Sequence, residues 1–140
     1  MEKTKVTLQA AVDATIEKAW KTWTEPKHII HWNSASDDWH SPSAVNDLKP
    51  GGKFSYRMEA KDGSEGFDFT GTYDEVVPYE KISYTMDDDR RVWTTFTERD
   101  GKVFIESIFE AENTFPVEMQ KEGWQSILNR YKAYTESQNE

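Results

Sequence analysis

The histidines offer the most versatile side-chain chemistry in this chain of 140 residues. His28 and His31 lie one helical turn apart, which is a spacing that suits a metal ion. The pair lacks the glutamate of a metalloprotease helix, and the chain has no cysteine to complete a zinc site. We therefore expect packing or solvated histidines and predict no metal ligand. His40 follows Asp38 closely, and acid–base work by this pair is the alternative that we leave open.

Other reactive patterns are weak. Three aspartates at residues 87–89 lack the spaced ligands of a calcium loop, and two arginines follow them, so we expect a solvated turn. No serine lies in a nucleophile-elbow sequence, and no glycine-rich loop could hold a nucleotide phosphate. The sequence therefore predicts no catalytic residue and no cofactor.

The charge balance narrows the range of partners. The chain carries 17 basic and 26 acidic residues, for a net charge of −9, which repels nucleic acids and anionic membranes. No apolar run approaches the roughly 20 residues that cross a bilayer, and the first residues do not resemble a signal peptide. We expect an acidic, soluble, cytoplasmic protein that binds neither nucleic acid nor membrane.

Aromatic residues dominate the apolar content. Leu, Ile, Val and Phe account for only 25 of the 140 residues, whereas the chain has six Trp and six Tyr. Each such ring buries roughly 150–250 Å² and can replace aliphatic side chains in a core. The sequence therefore predicts a core or pocket lining that is rich in indole and phenol rings.

The C-terminal stretch, residues 115–137, must position many of these rings. Its apolar residues recur at steps of three, four and seven, which predicts an α-helix with one apolar face and a cap at Asn113 or Thr114. Gly123 interrupts this helix directly before Trp124. Two interpretations stay open: close packing of the helix backbone against a sheet, or a cavity wall formed by Gly123 and Trp124.

The remaining elements form the surface that this helix covers. Residues 3–12 alternate as a strand does, and two short helices follow, capped at Asp13 or Thr15 and meeting at Pro26. A polar loop is predicted for residues 33–43, and six strands separated by tight turns follow it. The order predicts one α+β domain over residues 1–140, with an antiparallel meander whose free face is covered by the C-terminal helix.

A twisted sheet that wraps around one helix leaves a wedge between the two. We predict that the wedge is a ligand cavity; a filled core is the alternative. The side chain of Trp93 has the opposite parity to that of its neighbours, so its face stays open. The predicted ligand-binding residues are the large apolar ones of the strands, the loop and the helices: Trp32, Trp39, Phe54, Tyr56, Met58, Phe67, Phe69, Tyr84, Met86, Trp93, Trp124 and Leu128.

Several motifs resemble a known family across the whole chain. They are Ile-Glu-Lys-Ala-Trp at residues 16–20, Thr-Glu-Pro at 24–26, Pro-Gly-Gly-Lys-Phe at 50–54, Gly-Thr-Tyr-Asp-Glu-Val-Val-Pro at 71–78, and Gly-Trp at 123–124. In this order the chain resembles proteins related to the C-terminal domain of the activator of heat-shock protein 90 ATPase. That family belongs to the START-like, polyketide-cyclase-like (SRPBCC) superfamily, and the resemblance implies the helix-grip fold.

The resemblance also implies a range of functions. Relatives bind lipids, sterols, polyketides or other apolar molecules, and some are enzymes. We expect reversible binding of a small apolar or aromatic molecule by a monomer or homodimer. The alternatives are a cyclase, dehydratase or hydrolase that uses acid–base groups in the same cavity, and a protein-interaction or chaperone-related module.

Overall fold

The structure, a computed structural model, describes residues 4–34 and 36–138 and has an α+β architecture. One curled antiparallel sheet of seven strands is covered on its inner face by three helices. The predicted order of strand, two helices, six strands and long helix is confirmed. The elements are β1 (Lys5–Val12), α1 (Ile16–Thr24), α2 (Pro26–Trp32), β2 (Trp39–Asn46), β3 (Lys53–Ala60), β4 (Gly66–Val77), β5 (Lys81–Met86), β6 (Arg91–Arg99), β7 (Lys102–Glu110) and α3 (Val117–Ser137).

The sheet is a meander that the first strand closes at one side. The strand order is β1-β7-β6-β5-β4-β3-β2, so β1 pairs with the last strand and β2 forms the opposite edge. Registers align the inward residues in rows; one row runs from Leu8 through Ser107 and Thr94 to Ile82. Because side chains alternate along a strand, these rows form a continuous inner face.

A bulge in β4 keeps the inner face continuous. Tyr73 pairs with Tyr84, but Glu75 pairs with Ser83, so Asp74 is the additional residue on β4. The additional residue reverses the parity of the rest of the strand, and Val76 instead of Glu75 packs on the core. The face of the strand that is buried therefore changes near its end.

The helix starts follow the sequence signals only in part. Thr15 accepts a hydrogen bond from the backbone N–H of Lys18, so Thr15 rather than Asp13 caps α1. Pro26 occupies the first turn of α2, where its missing N–H is tolerated. The prediction of Asn113 or Thr114 as cap of α3 was wrong, because the N-cap is Pro116 and no side chain there makes a capping hydrogen bond.

The helices approach the sheet from its two edges. The backbone of α3 lies along β1, while α2 packs against β2. The helices contact one another through a buried polar cluster in which the Thr22 and Thr135 hydroxyls lie 2.8 Å apart and the indole N–H of Trp32 donates to the carbonyl of Thr22. The inward faces of the middle strands are therefore bridged by side chains and not by helix backbone.

One of the predicted segments needs correction. Residues 33–43 were predicted as a loop, but β2 begins at Trp39 and pairs with β3. This strand lacks a two-residue period because it lies at the sheet edge, where only Ser41 is fully buried. The predicted first strand included Lys3, which lies outside the described residues.

The glycine in α3 has neither of its predicted roles. A Cβ built on Gly123 would meet nothing within 4 Å, so the helix does not pack closely against the sheet there. Gly123 does not line the cavity described below, although Trp124 does. The glycine that a close approach requires is Gly71, where a Cβ would lie 2.8 Å from the ring of Phe54.

The edge strand β2 is irregular. Its register with β3 shifts between His40 and Ser43, and Pro42 lies within the shifted segment. Proline has no backbone N–H to donate, and bulges and prolines are typical of edge strands that do not accept a further strand. Among the described residues, no helix is long and apolar enough to cross a bilayer.

Candidate functional site

A cavity of about 420 Å³ lies between the inner face of the sheet and the helices. Small-molecule sites commonly occupy roughly 300–1,000 Å³ and are mostly apolar. Ten of the residues that line it are aromatic. Phe67 and Phe115 line the cavity and are 47% and 54% exposed, so they mark where it meets the surface. The sheet and helix therefore enclose a space large enough for a small molecule.

The structure brings most of the predicted binding residues to this space. Their contact with a ligand stays a prediction. The nine that line the cavity are Trp32, Phe54, Tyr56, Met58, Phe67, Phe69, Tyr84, Trp124 and Leu128.

Three of the predicted binding residues do not line the cavity, and the prediction is corrected for them: Trp39, Met86 and Trp93. Trp39 lies on the edge strand, with its ring 6.0 Å from that of Phe67. Met86 has the predicted parity, but it lies at the end of β5 within the filled core. Trp93 is on the outer face, where the ammonium group of Lys5 lies 5.1 Å from its ring.

Trp124 connects the helix to both sides of the cavity. Its indole stacks on Phe109 of β7 at 4.4 Å with an interplanar angle of 7°. Its ring centroid is also 6.2 Å from that of Phe69, which lies on β4. Such ring pairs each contribute about 0.5–1.5 kcal/mol beyond the area that they bury. The indole therefore supports the cavity wall and holds α3 away from the middle strands.

Phe54 is the centre of the aromatic wall on the sheet side. Its ring lies 4.8 Å from that of Tyr84 and 5.8 Å from that of Phe69. Gly71, which pairs with Phe54 across β3 and β4, leaves the space that this ring occupies. The wall is thus built from interlocking rings that a larger residue at position 71 would displace.

Three tyrosines add hydroxyl groups to the cavity. The hydroxyls of Tyr56 and Tyr73 lie 3.1 Å apart, and the amide of Asn46 donates to Tyr73 at 3.4 Å. Burial raises the pKa of Tyr56 well above its usual value, and the neighbouring Tyr73 raises it further. Burial also raises the pKa of Tyr73 and of Tyr84. All three phenols therefore stay protonated near neutral pH.

Sequence reasoning missed two charged residues of the cavity. Arg90 follows the turn at residues 87–89, and Glu112 lies between β7 and α3. Arg90 was interpreted only as a counter-charge to the aspartates, and its bond to Asp88 at 2.8 Å agrees with that. Its guanidinium also lies 4.0 Å from the carboxylate of Glu112. Turn residues have no periodicity, so no sequence signal placed these two side chains.

The remaining cavity residues that were not predicted fall into two groups, those that a sequence pattern could have indicated and those that none could. Alternation along a strand, or the apolar face of α3, could have placed seven residues that share a face with predicted ones: Leu8, Tyr73, Ile82, Val92, Thr94, Ser107 and Ile127. No comparable signal marks Trp23, Thr24, Asn33, Phe115 and Gln120.

The residues first considered for catalysis lie elsewhere. His28 accepts from or donates to the hydroxyl of Tyr134 at 2.7 Å, and His31 stacks on the ring of Tyr134. His40 lies 3.9 Å from Glu59 on the edge of the sheet and does not line the cavity. Within residues 4–34 and 36–138, no three His, Asp or Glu side chains group as a metal site.

The fold and the sequence together place the chain in a family. The model of Activator of Hsp90 ATPase homolog 1-like proteins matches residues 13–136. The chain belongs to this family. Among curated proteins, none matches the chain significantly.

Solved structures of similar proteins agree with the fold. The AHSA1-like protein from Aeromonas hydrophila, a solution structure, has 40% sequence identity and a TM-score of 0.91, with 96% of this chain and 93% of that chain covered. A protein from Cytophaga hutchinsonii has 50% identity and a TM-score of 0.83, over 94% of this chain and 92% of that one. A protein from Chromobacterium violaceum, at 22% identity and a TM-score of 0.83, covers 96% and 98% and shows the shared fold alone.

Proposed function

We propose that this AHSA1-like protein reversibly binds a small hydrophobic or aromatic molecule in the cavity between the sheet and α3. The observation that carries the proposal is a partly open cavity of about 420 Å³ with ten aromatic lining residues. Removing an apolar molecule from water stabilises a complex by roughly 25 cal/mol per Å² of buried apolar surface. Proteins with this fold generally bind hydrophobic ligands, and that supports the same function.

Acid–base turnover in the cavity has less support. Such chemistry needs two groups that exchange protons near neutral pH. Arginine stays charged in proteins, and burial raises the pKa of the lining tyrosines. Among the lining residues that the structure describes, Glu112 is the one carboxylate. Binding therefore accounts for the lining better than catalysis does.

A cavity-filling substitution tests the proposal. Ile127 lines the cavity from α3, and Ile127→Trp should occupy part of the space. We expect N-phenyl-1-naphthylamine, an uncharged dye that fluoresces in apolar surroundings, to bind the unaltered protein saturably. The variant should bind it at least about tenfold more weakly, a loss near 1.4 kcal/mol.

The control is Ile108→Trp, which makes the same change on the outer face of β7, where Ile108 pairs with Trp93. This control should bind the dye as the unaltered protein does. Thermal unfolding followed by circular dichroism shows whether each variant is folded. Absence of saturable binding to the unaltered protein, or equal binding by both folded variants, would contradict the proposal.

A further inference from the structure

The cavity has one charged end, built from two neighbouring connections. The turn that carries Arg90 leads into β6, and the link that carries Glu112 leaves β7. These strand ends are adjacent because Val92 pairs with Phe109 and the backbone N–H of Arg91 donates to Glu110 at 2.7 Å. Both Arg90 and Glu112 line the cavity. A mostly apolar cavity therefore has a carboxylate and a guanidinium at one end.

The link that carries Glu112 is fixed in position by the side chain of Gln120. The backbone N–H of Glu112 donates to the Gln120 amide oxygen at 2.8 Å. The Gln120 amide nitrogen donates to the carbonyls of Glu112 at 3.1 Å and Phe115 at 2.8 Å. The backbone at Glu112 is thus tied to the first turns of α3.

This carboxylate has unused hydrogen-bonding capacity. Its Oε1 atom is buried, and no donor from the described residues reaches it. Its Oε2 atom lies 4.0 Å from the Nη2 atom of Arg90, which is too long for a hydrogen bond. Because Oε1 is sealed from solvent, the oxygen open to a ligand donor is Oε2, which accepts no hydrogen bond from the described residues.

The local charge disfavours an anion as that ligand. The guanidinium Nε of Arg90 already donates to Asp88 at 2.8 Å, and the side chain is only 15% exposed. Asp88, Arg90 and Glu112 together carry one net negative charge. A ligand carboxylate would bring another negative charge towards Glu112, and it has no proton to give to Oε2.

We propose that the cavity selects uncharged aromatic molecules that carry one terminal hydroxyl, which donates to Glu112 and accepts from Arg90. A hydroxyl can fill the gap between these two side chains because it is both a hydrogen-bond donor and an acceptor. The aromatic ring of the ligand lies among Phe54, Phe69 and Trp124. This inference rests on the proposed binding function. It distinguishes hydroxylated ligands from carboxylic acids of the same size.

Three ligands that share one skeleton test the selection: biphenyl, 4-hydroxybiphenyl and biphenyl-4-carboxylate, titrated at pH 7 by calorimetry. Hydrogen bonds to charged groups are usually strong enough to change affinity by about tenfold or more. We expect 4-hydroxybiphenyl to bind about tenfold more tightly than either of the other two. Equal affinities for the hydroxylated and carboxylated ligands would overturn the inference.

Two variants identify the residues responsible. Glu112→Gln removes the negative charge, so the preference for hydroxyl over carboxylate should fall by about tenfold. Asp88→Asn releases the guanidinium of Arg90, so the carboxylate should bind several times more tightly. The matched control is Glu122→Gln, which removes the same charge from an exposed position on α3 and should leave the preference unchanged.

The outcomes separate the inference from the function on which it rests. A preference that persists in both Glu112→Gln and Asp88→Asn would overturn the inference, because neither charge would then set it. If all three biphenyls fail to bind while N-phenyl-1-naphthylamine binds, the inference is also wrong and the binding function stands. If that dye fails as well, the binding function itself is wrong.

Discussion

Tyr131 shows at the residue scale how the helices are joined. Its side chain is fully buried, and its hydroxyl donates to the carbonyl of Ala19 at 2.5 Å while accepting from Thr22 at 3.4 Å. Its ring also packs edge-to-face on Trp23 at 4.7 Å. One phenol therefore connects α3 to α1 by both polar and apolar contacts.

Removing this hydroxyl should weaken the fold measurably. Tyr131→Phe keeps the ring but removes the hydroxyl that donates to the buried carbonyl of Ala19. We expect a loss of about 1–3 kcal/mol in the free energy of unfolding. Urea denaturation at pH 7 measures it. Tyr79→Phe is the control, because Tyr79 is 48% exposed, and it should change stability by less than about 0.5 kcal/mol.

Ionisation of Tyr131 also makes the free energy of unfolding depend on pH. Burial raises the pKa of Tyr131 to about 12, whereas an unfolded tyrosine titrates near 10. Between these values the unfolded chain has released the proton and the folded chain retains it, so the free energy of unfolding falls as pH rises. We expect Tyr131→Phe to lose stability less steeply than the unaltered protein between pH 10 and 12. A parallel loss in both proteins would contradict this.

Single residues were predictable from the sequence where alternation or helical spacing fixed their face. Phe67, Phe69 and Tyr84 reach the cavity as their strand parity indicates. Arg90 and Glu112 reach it from irregular connections, where side-chain direction depends on turn geometry. The charged part of the site could therefore not be derived from the sequence.

At the scale of helices and strands, two glycines differ in the space that surrounds them. Gly123 lies inside α3 with open space around a prospective Cβ, whereas a Cβ at Gly71 would lie 2.8 Å from the Phe54 ring and 2.8 Å from the carbonyl oxygen of Thr85. Glycine costs a helix about 0.8–1.0 kcal/mol relative to alanine. The helix therefore bears a cost that packing does not require, while the strand needs its glycine.

Alanine substitution should thus have opposite effects at the two positions. Gly123→Ala should raise the free energy of unfolding by about 0.5–1 kcal/mol. Gly71→Ala should lower it by about 1–3 kcal/mol, because the backbone carbonyl cannot yield and the Phe54 ring must shift. Urea denaturation of both variants checks the signs. Stabilisation by Gly71→Ala or destabilisation by Gly123→Ala would contradict the geometry.

Elements were predictable where the periodic pattern was strong. The long helix and the meander follow from apolar spacing and from turn sequences such as Asp62-Gly63 and Asp100-Gly101. The start of β2 was misplaced because an edge strand with a register shift and a proline buries little. Burial imposes the alternation that sequence patterns reveal, so weakly buried strands leave little trace.

At the scale of the whole molecule, the cavity results from where the helices lie. The backbone of α3 follows β1 and that of α2 follows β2, so side chains fill most of the space over the middle of the sheet. The order of the elements could be derived from the sequence and agrees with the family. The size of the space could not, because it depends on the distance between a helix and a curved sheet.

Occupation of the cavity should stabilise the whole fold. A ligand that binds only the folded state adds about 2.7 kcal/mol at one hundred times its dissociation constant. For a chain of this size, this should raise the melting temperature by roughly 5–10 °C. Differential scanning calorimetry with N-phenyl-1-naphthylamine measures the shift, which Ile127→Trp should largely abolish. An unchanged melting temperature at saturating dye would contradict linkage between binding and folding.

The irregular edge at β2 has a consequence for self-assembly. A flat strand at the border of a sheet offers a template on which other chains can add, and fibrils grow in that way. Here the offset between His40 and Ser43, together with the missing donor of Pro42, interrupts the template within a few residues. Concentrated solutions of the folded protein should therefore resist fibril growth that starts from this border.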